Sequence, residues 1–367
     1  MNAVDFHALA NPGVAGLAPY QPGKPVEELE RELGIADAVK LASNENPLGP
    51  PPAVRALLAE ARIDPARYPD GNGFRLKRAL AERLGIAMER ITLGNGSNDV
   101  LDLVARVFLQ PGRSAVFSEH AFAVYPIVTR AAGAEAIVTP ARDYGHDLEA
   151  MRAAIRPDTR VVFLANPNNP TGTWLDAASL EAFLASVPPD VIVVLDEAYV
   201  EYVELPDYPD SLPWLDRHPN LVVTRTFSKV YGLAGLRVGY ALSSAPVADL
   251  LNRVRQPFNV NALALEAAVL ALEDEAHVRR SVALNREGMQ FWERRFTEMG
   301  LSWIPSIGNF VTVDLGRPAA PVHQALLREG VIVRPVAAYG LPNHLRISIG
   351  LPEENARAAA ALQKVLA

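Results

Sequence analysis

The chain has 367 residues, 49% hydrophobic and 21% charged, an ordinary globular composition with length enough for two domains. Its formal net charge of −7, without any basic run, argues against a nucleic-acid partner. It has no cysteine, which excludes disulfides, thiolate metal sites and cysteine nucleophiles but leaves the redox compartment open. The first residues, MNAVDFHALANPG, lack a basic segment followed by an apolar core, so no signal peptide is expected. No apolar run approaches the roughly 20 residues of a membrane helix. The expected location is the cytoplasm, with no membrane partner.

Residues 1–40 are rich in proline and glycine and read as an extended arm with a short helix near Val26 to Leu33. Prolines 50–52 then precede a helix over AVRALLAEARI, and Phe74 to Leu84 has helical spacing of its apolar residues. ITLGNGSNDV passes from a short strand through glycines into a helix ending near Leu109. AVF (115–117), AIV (136–138), VVFLA (161–165), VIVVLD (191–196) and LVVTR (221–225) are short, nearly continuous apolar runs, mostly separated by helical segments. Buried parallel strands covered by helices on both faces have this pattern. A helical region follows over 246–298, with breaks near Pro257 and Asn261. Strands at 309–314, 331–334 and 344–349 alternate with helices at 319–329 and 353–366. The chain thus divides into an arm (1–40), a large α/β domain (41–255) and a smaller α+β domain (256–367).

The chemistry concentrates where these strands end. TRTFSKVYGLAGLRVGY (224–240) puts Lys229 just beyond an apolar strand, with Thr226 and Ser228 before it and Arg237 eight residues after it. A lysine held in apolar surroundings can act as an amine nucleophile. Hydroxyls and an arginine nearby suit a phosphate monoester. Amine and phosphate cradle together are what pyridoxal 5'-phosphate requires. A solvated surface lysine is the plain alternative. Asp196 closes the VIVVL strand, where an acid is costly unless paired. A pyridinium nitrogen would be such a partner, and a helix cap or salt bridge is the alternative. Asn166–Gly172 reads either as a proline–asparagine turn or as an amide aimed at a ligand. GNGSN (94–98) opens a helix, whose N-terminus favours a phosphate, but it does not match GxGxxG, so a nicotinamide dehydrogenase is not supported.

Taken together, Asn169-Pro-Thr-Gly, Asp196-Glu-Ala-Tyr199 and Ser228-Lys229 with Arg237 resemble the class I/II aminotransferases, fold-type I pyridoxal phosphate enzymes. SNENPLGP, Tyr68-Pro69, NPNNPTG, DEAYVEY and LRISIG are similar to the branch of that family acting on histidinol phosphate, and the resemblance covers essentially the whole chain. It implies a large domain with a mostly parallel seven-stranded sheet and a smaller α+β domain. It also implies transfer of an amino group from L-histidinol phosphate to 2-oxoglutarate, with an aromatic amino acid as the alternative donor. Lys229 would hold the cofactor covalently and move the proton, and Asp196 would pair with the ring nitrogen. Asn169 and Tyr199 would bind the ring oxygen, and Phe122 would stack on the ring. Ser97, Asn98, Thr226, Ser228 and Arg237 would bind its phosphate. Tyr68 would reach that phosphate from a second subunit of a homodimer with shared sites. Arg346 and Arg334 would bind the substrate anion, with Tyr20, Asn44 and Asn309 near its side chain.

Two segments depart from that branch. Asn98 stands where an acidic residue is more usual, and the ring-stacking segment reads EHAFAVYP, with Phe122 in place of the expected tyrosine. Both keep the cofactor role and leave the donor open between histidinol phosphate and an aromatic amino acid. A decarboxylase on the same fold and a cofactor-binding regulator are the remaining rivals. No histidine has metal-ligand spacing, so no metal is assigned.

Overall fold

A computed structural model describes residues 4–19, 23–60 and 63–367. Seven strands form the central sheet: β1 (Ile91–Gly94), β2 (Ser114–Ser118), β3 (Glu135–Thr139), β4 (Thr159–Ala165), β5 (Ile192–Asp196), β6 (Leu221–Thr226) and β7 (Gly239–Ser243). Their order is β1-β7-β6-β5-β4-β2-β3, and β7 alone runs against its neighbours. β2 and β5 are buried along their whole length, and β4 and β6 at all but one arginine each, because helices cover both faces. Alternation sorts their side chains. Val193 and Leu195 join one apolar cluster, and Ile192 and Val194 join the other.

Six of the seven strands coincide with the apolar runs. β7, GYALS, escapes a pattern reading because it has no β-branched residue and begins inside the glycine-rich stretch after Lys229. Its place is set by pairing, with Gly239 opposite both Thr226 and Gly94.

A four-stranded antiparallel sheet forms the second unit: β8 (Ser302–Ile304), β9 (Phe310–Asp314), β10 (Arg334–Pro335) and β11 (His344–Ser348), ordered β8-β9-β11-β10. β8 was not expected. The expected strand at 331–334 is split, since Val331–Ile332 pairs in parallel with Val39–Lys40 while Arg334–Pro335 pairs with β11. The helix Glu275–Met299 anchors this unit through fully buried Trp292, whose indole Nε1 donates to Asn355 Oδ1 at 3.0 Å. The arm helix Val26–Leu33 buries Leu29 against Ala42, Leu327 and Ile332.

The helical region breaks into Ala245–Val254, Ala262–Glu273 and Glu275–Met299. The extra break falls at Asp274, whose carboxylate caps the last helix by accepting from His277 N at 2.8 Å. Ala262–Glu273 packs into the core of the large sheet through Ala264, Ala268 and Leu272. This helix, on the small-domain side of the expected boundary at 255, thus packs on the large sheet, as do Val278 and Val282 of the next helix. No described helix is long and apolar enough to cross a membrane.

Candidate active site

A cavity opens at the carboxyl ends of β4, β5 and β6, where open α/β sheets bind ligands. One end is built for an anion. The helix Ser97–Phe108 starts there and presents its first backbone N–H groups beside Ser97 and Asn98. Gly96 precedes it with φ +81°, and a Cβ there would lie 2.2 Å from an Arg237 guanidinium nitrogen, so glycine is what lets Arg237 reach the helix end. Arg237 Nη1 donates to Ser228 Oγ at 3.3 Å and to Ala234 O at 3.1 Å. Thr226 Oγ1 accepts from Ser228 N at 3.1 Å and fixes the turn leading to Lys229.

Asp196, the last residue of β5, lines the cavity floor and is 5% exposed. Its Oδ1 accepts from Thr224 Oγ1 and its Oδ2 from Tyr125 Oη, both at 2.9 Å. Burial pushes its pKa up, and the two hydroxyl donors oppose that shift. Lys229 Nζ donates to Ser43 O at 3.2 Å and lies 5.7 Å from the Tyr199 ring centroid. Burial, reinforced by the Arg346 charge, lowers its pKa to about 8, so near neutral pH a minor fraction, about a tenth at pH 7, is the free amine. Tyr199 Oη accepts from Asn44 Nδ2 at 2.8 Å, and burial pushes its pKa up to about 12.

The opposite end carries the two arginines. Arg334 and Arg346 stand directly opposite each other across the β10–β11 pair, which puts both side chains on one face. Arg346 is 6% exposed. It donates to Asn169 Oδ1 and, at 2.8 Å, to Ala42 O, with its Cζ 5.3 Å from the Phe310 ring centroid. Like charges at directly opposed positions disfavour one another, so the arrangement favours an anion between them. The cavity can thus hold an anion at each end, with a lysine amine and a buried carboxylate between. These groups fit a phosphorylated pyridine aldehyde: helix end and guanidinium for the phosphate, carboxylate for a protonated ring nitrogen, amine for the aldehyde.

Most of the expected residues meet here. Lys229, Asp196, Tyr199, Ser97, Asn98, Phe122, Asn169, Thr226, Ser228, Arg237, Asn44, Arg334 and Arg346 all line the cavity. Asn309 does not. It is buried behind the wall, with its Nδ2 donating to Asn44 O at 3.0 Å, so it supports Asn44 rather than facing the cavity. Tyr68 lies outside this chain's cavity, exposed and stacked on Phe258 at 4.5 Å. Tyr20 falls outside the described residues. Sequence reasoning missed Tyr125, Thr224 and Tyr339. Thr224 had a signal, since it lies two residues before Thr226 on the same strand face. Tyr125 sits three residues after Phe122 in EHAFAVYP, but nothing there announced that its hydroxyl reaches Asp196, and Tyr339 arrives from a distant segment with no signal.

Fold and cavity together define an α/β enzyme that grips a small anionic substrate beside a reactive lysine. The family model for aminotransferase class I and II matches residues 36–362. Histidinol-phosphate aminotransferase 2 of Pseudomonas aeruginosa is 67% identical, with 99% of each chain covered. The enzyme of that name from Methylococcus capsulatus is 60% identical, covering 98% of each. The crystal structure of histidinol-phosphate aminotransferase from Sinorhizobium meliloti, in complex with pyridoxal-5'-phosphate, superposes with a TM-score of 0.89 at 32% identity. It covers 97% of this chain and 96% of that one. The chain belongs to the aminotransferase class I and II family, the family its motifs resemble.

Proposed function

We propose that this chain is a pyridoxal-phosphate-dependent aminotransferase of the cytoplasm that moves the amino group of L-histidinol phosphate to 2-oxoglutarate, in histidine biosynthesis. The observation that carries the reading is the joining, in one cavity, of a phosphate cradle, a buried carboxylate, a lysine of lowered pKa and two opposed arginines. The names of the relatives at 60–67% identity support the donor.

Pyridoxal phosphate, when bound, supplies an aldehyde that accepts amines and a ring that takes up the electron pair left on the substrate carbon. Ser97, Asn98, Thr226, Ser228 and Arg237 bind its phosphate. Asp196 would hold the ring nitrogen protonated, and Phe122 would bind the ring face. Tyr199 and Asn169 orient the ring oxygen, with Asn44 fixing the Tyr199 hydroxyl. Lys229 Nζ would bind the aldehyde and, as a free amine, would accept the proton from the substrate α-carbon and give it back on the carbonyl carbon of the cofactor. Arg346 and Arg334 hold the anionic group of histidinol phosphate or a 2-oxoglutarate carboxylate, each by paired N–H donors. Tyr68 completes the phosphate site of a second copy, making a homodimer with shared sites.

The test is a half-reaction. The protein carrying cofactor is mixed with histidinol phosphate or, separately, with phenylalanine, and loss of the visible cofactor band is followed. Rapid bleaching by histidinol phosphate alone is the expected result. Equal or faster bleaching by phenylalanine would reassign the donor to the aromatic amino acids.

A further inference from the structure

We propose that Tyr125 and Thr224 are positioning residues for the reaction, holding the Asp196 carboxylate by both oxygens while the Tyr125 ring braces Phe122. The inference rests on the reading of Asp196 as the partner of the cofactor's ring nitrogen.

The two donors come from different elements. Thr224 lies on β6, in register opposite Asp196 of β5. Tyr125 lies on the helix Val124–Ala131, on the other side of the carboxylate in sequence. Each donates to a different oxygen at 2.9 Å. A carboxylate tied through one oxygen can still swing; tied through both, it has one rotation. An ionised carboxylate offers about four lone-pair sites, so two remain for a ring nitrogen in the cavity.

Tyr125 is well placed to hold this geometry. It is fully buried, and its ring stacks on Phe163 of β4 at 4.8 Å and 8°. It meets Phe122, a cavity-lining residue, edge-on at 5.9 Å and 87°. A tyrosine used only as filler would bury its hydroxyl at a cost that phenylalanine avoids. The hydroxyl is instead spent on the one carboxylate of the cavity floor.

Tyr125→Phe keeps the ring and removes the donor; Thr224→Val keeps the shape and removes the other. Each is expected to lower kcat of the half-reaction on the order of ten- to hundredfold, the loss matching one hydrogen bond to a charged group, with KM for the donor unchanged. Each is also expected to raise the cofactor's Kd, measured by spectroscopic titration. The acid limb of the kcat profile should move to higher pH, because a carboxylate with one donor fewer protonates more readily. Glu197, Lys229, Tyr199 and Tyr208, the other titratable groups facing Asp196, stay unaltered in both variants.

Asp196→Asn separates the levels of failure. If it reacts normally, the reading of Asp196 itself falls. If it is crippled while Tyr125→Phe and Thr224→Val keep wild-type kcat, Kd and pH profile, only the positioning inference is overturned. A lower kcat with unmoved Kd and pH profile would mark a purely structural role and overturn it too. Should Tyr125→Phe fail to fold, Thr224→Val carries the same test. The double variant Tyr125→Phe/Asp196→Asn should lose no more than Asp196→Asn alone; additive losses would count against coupling through Asp196.

Discussion

Lys229 works because its surroundings disfavour its own charge. Desolvation leads, the Arg346 guanidinium adds to it, and Glu45 and Asp196 pull the other way, leaving a pKa of about 8. The neutral amine is the reactive form and is depleted tenfold for each pH unit below that value. Uptake of pyridoxal phosphate by the apoprotein should therefore accelerate with pH and level off above about 8, as stopped-flow absorbance can follow. A flat profile from pH 6 to 9 would remove Lys229 as the amine. Lys229→Ala should abolish the band that follows cofactor addition and cost turnover a factor on the order of 10²–10⁴ or more. At this scale the sequence was informative where chemistry forces an unusual placement. An acid or lysine ending an apolar strand stands out, and so Asp196 and Lys229 were legible. Tyr125 was not, because a tyrosine in an apolar helix looks the same whether or not its hydroxyl has work to do.

Register and turn geometry decide what the elements bring together. Arg334 and Arg346 converge because β10 and β11 pair them face to face, and no spacing in the chain announces it. The glycines around β1 and β7 act similarly. A Cβ on Gly239 would come within 2.4 Å of Ser97 N, and one on Gly96 would strike Arg237. Gly96→Ala should thus cost about 1–3 kcal/mol of folding stability for its positive-φ extended backbone and weaken cofactor binding at least tenfold. Isothermal titration would read the second effect, and unchanged affinity would exclude Arg237 from the anion cradle. β7 itself shows why a pattern reading stops short. Strand identity there comes from two neighbours offering hydrogen bonds, not from the propensity of Gly-Tyr-Ala-Leu-Ser.

On the scale of the molecule, the cavity is shared between two sheets. Lys229 and Asp196 come from the larger one, while Arg334 and Arg346 come from the smaller. The exposed Tyr68–Phe258 stack, beside Leu58 and Pro257 in an apolar groove, suits a second copy. If Tyr68 serves that copy's site, inactive Tyr68→Ala and Lys229→Ala chains should complement one another. Random mixing would restore about a quarter of wild-type activity, from the one intact site in each mixed dimer. No recovery after remixing would confine Tyr68 to its own subunit. Between the sheets runs the segment from Val39 to Asn46. It pairs with Val331–Ile332, and Asn44 takes its backbone N–H to Ser348 Oγ while its amide reaches Tyr199. On the ribosome this geometry imposes a delay. Val39–Lys40 must wait for a partner some 290 residues downstream, roughly 15–60 s at ordinary elongation rates. Nascent chains therefore carry an unfinished wall around Tyr199 until synthesis is nearly over.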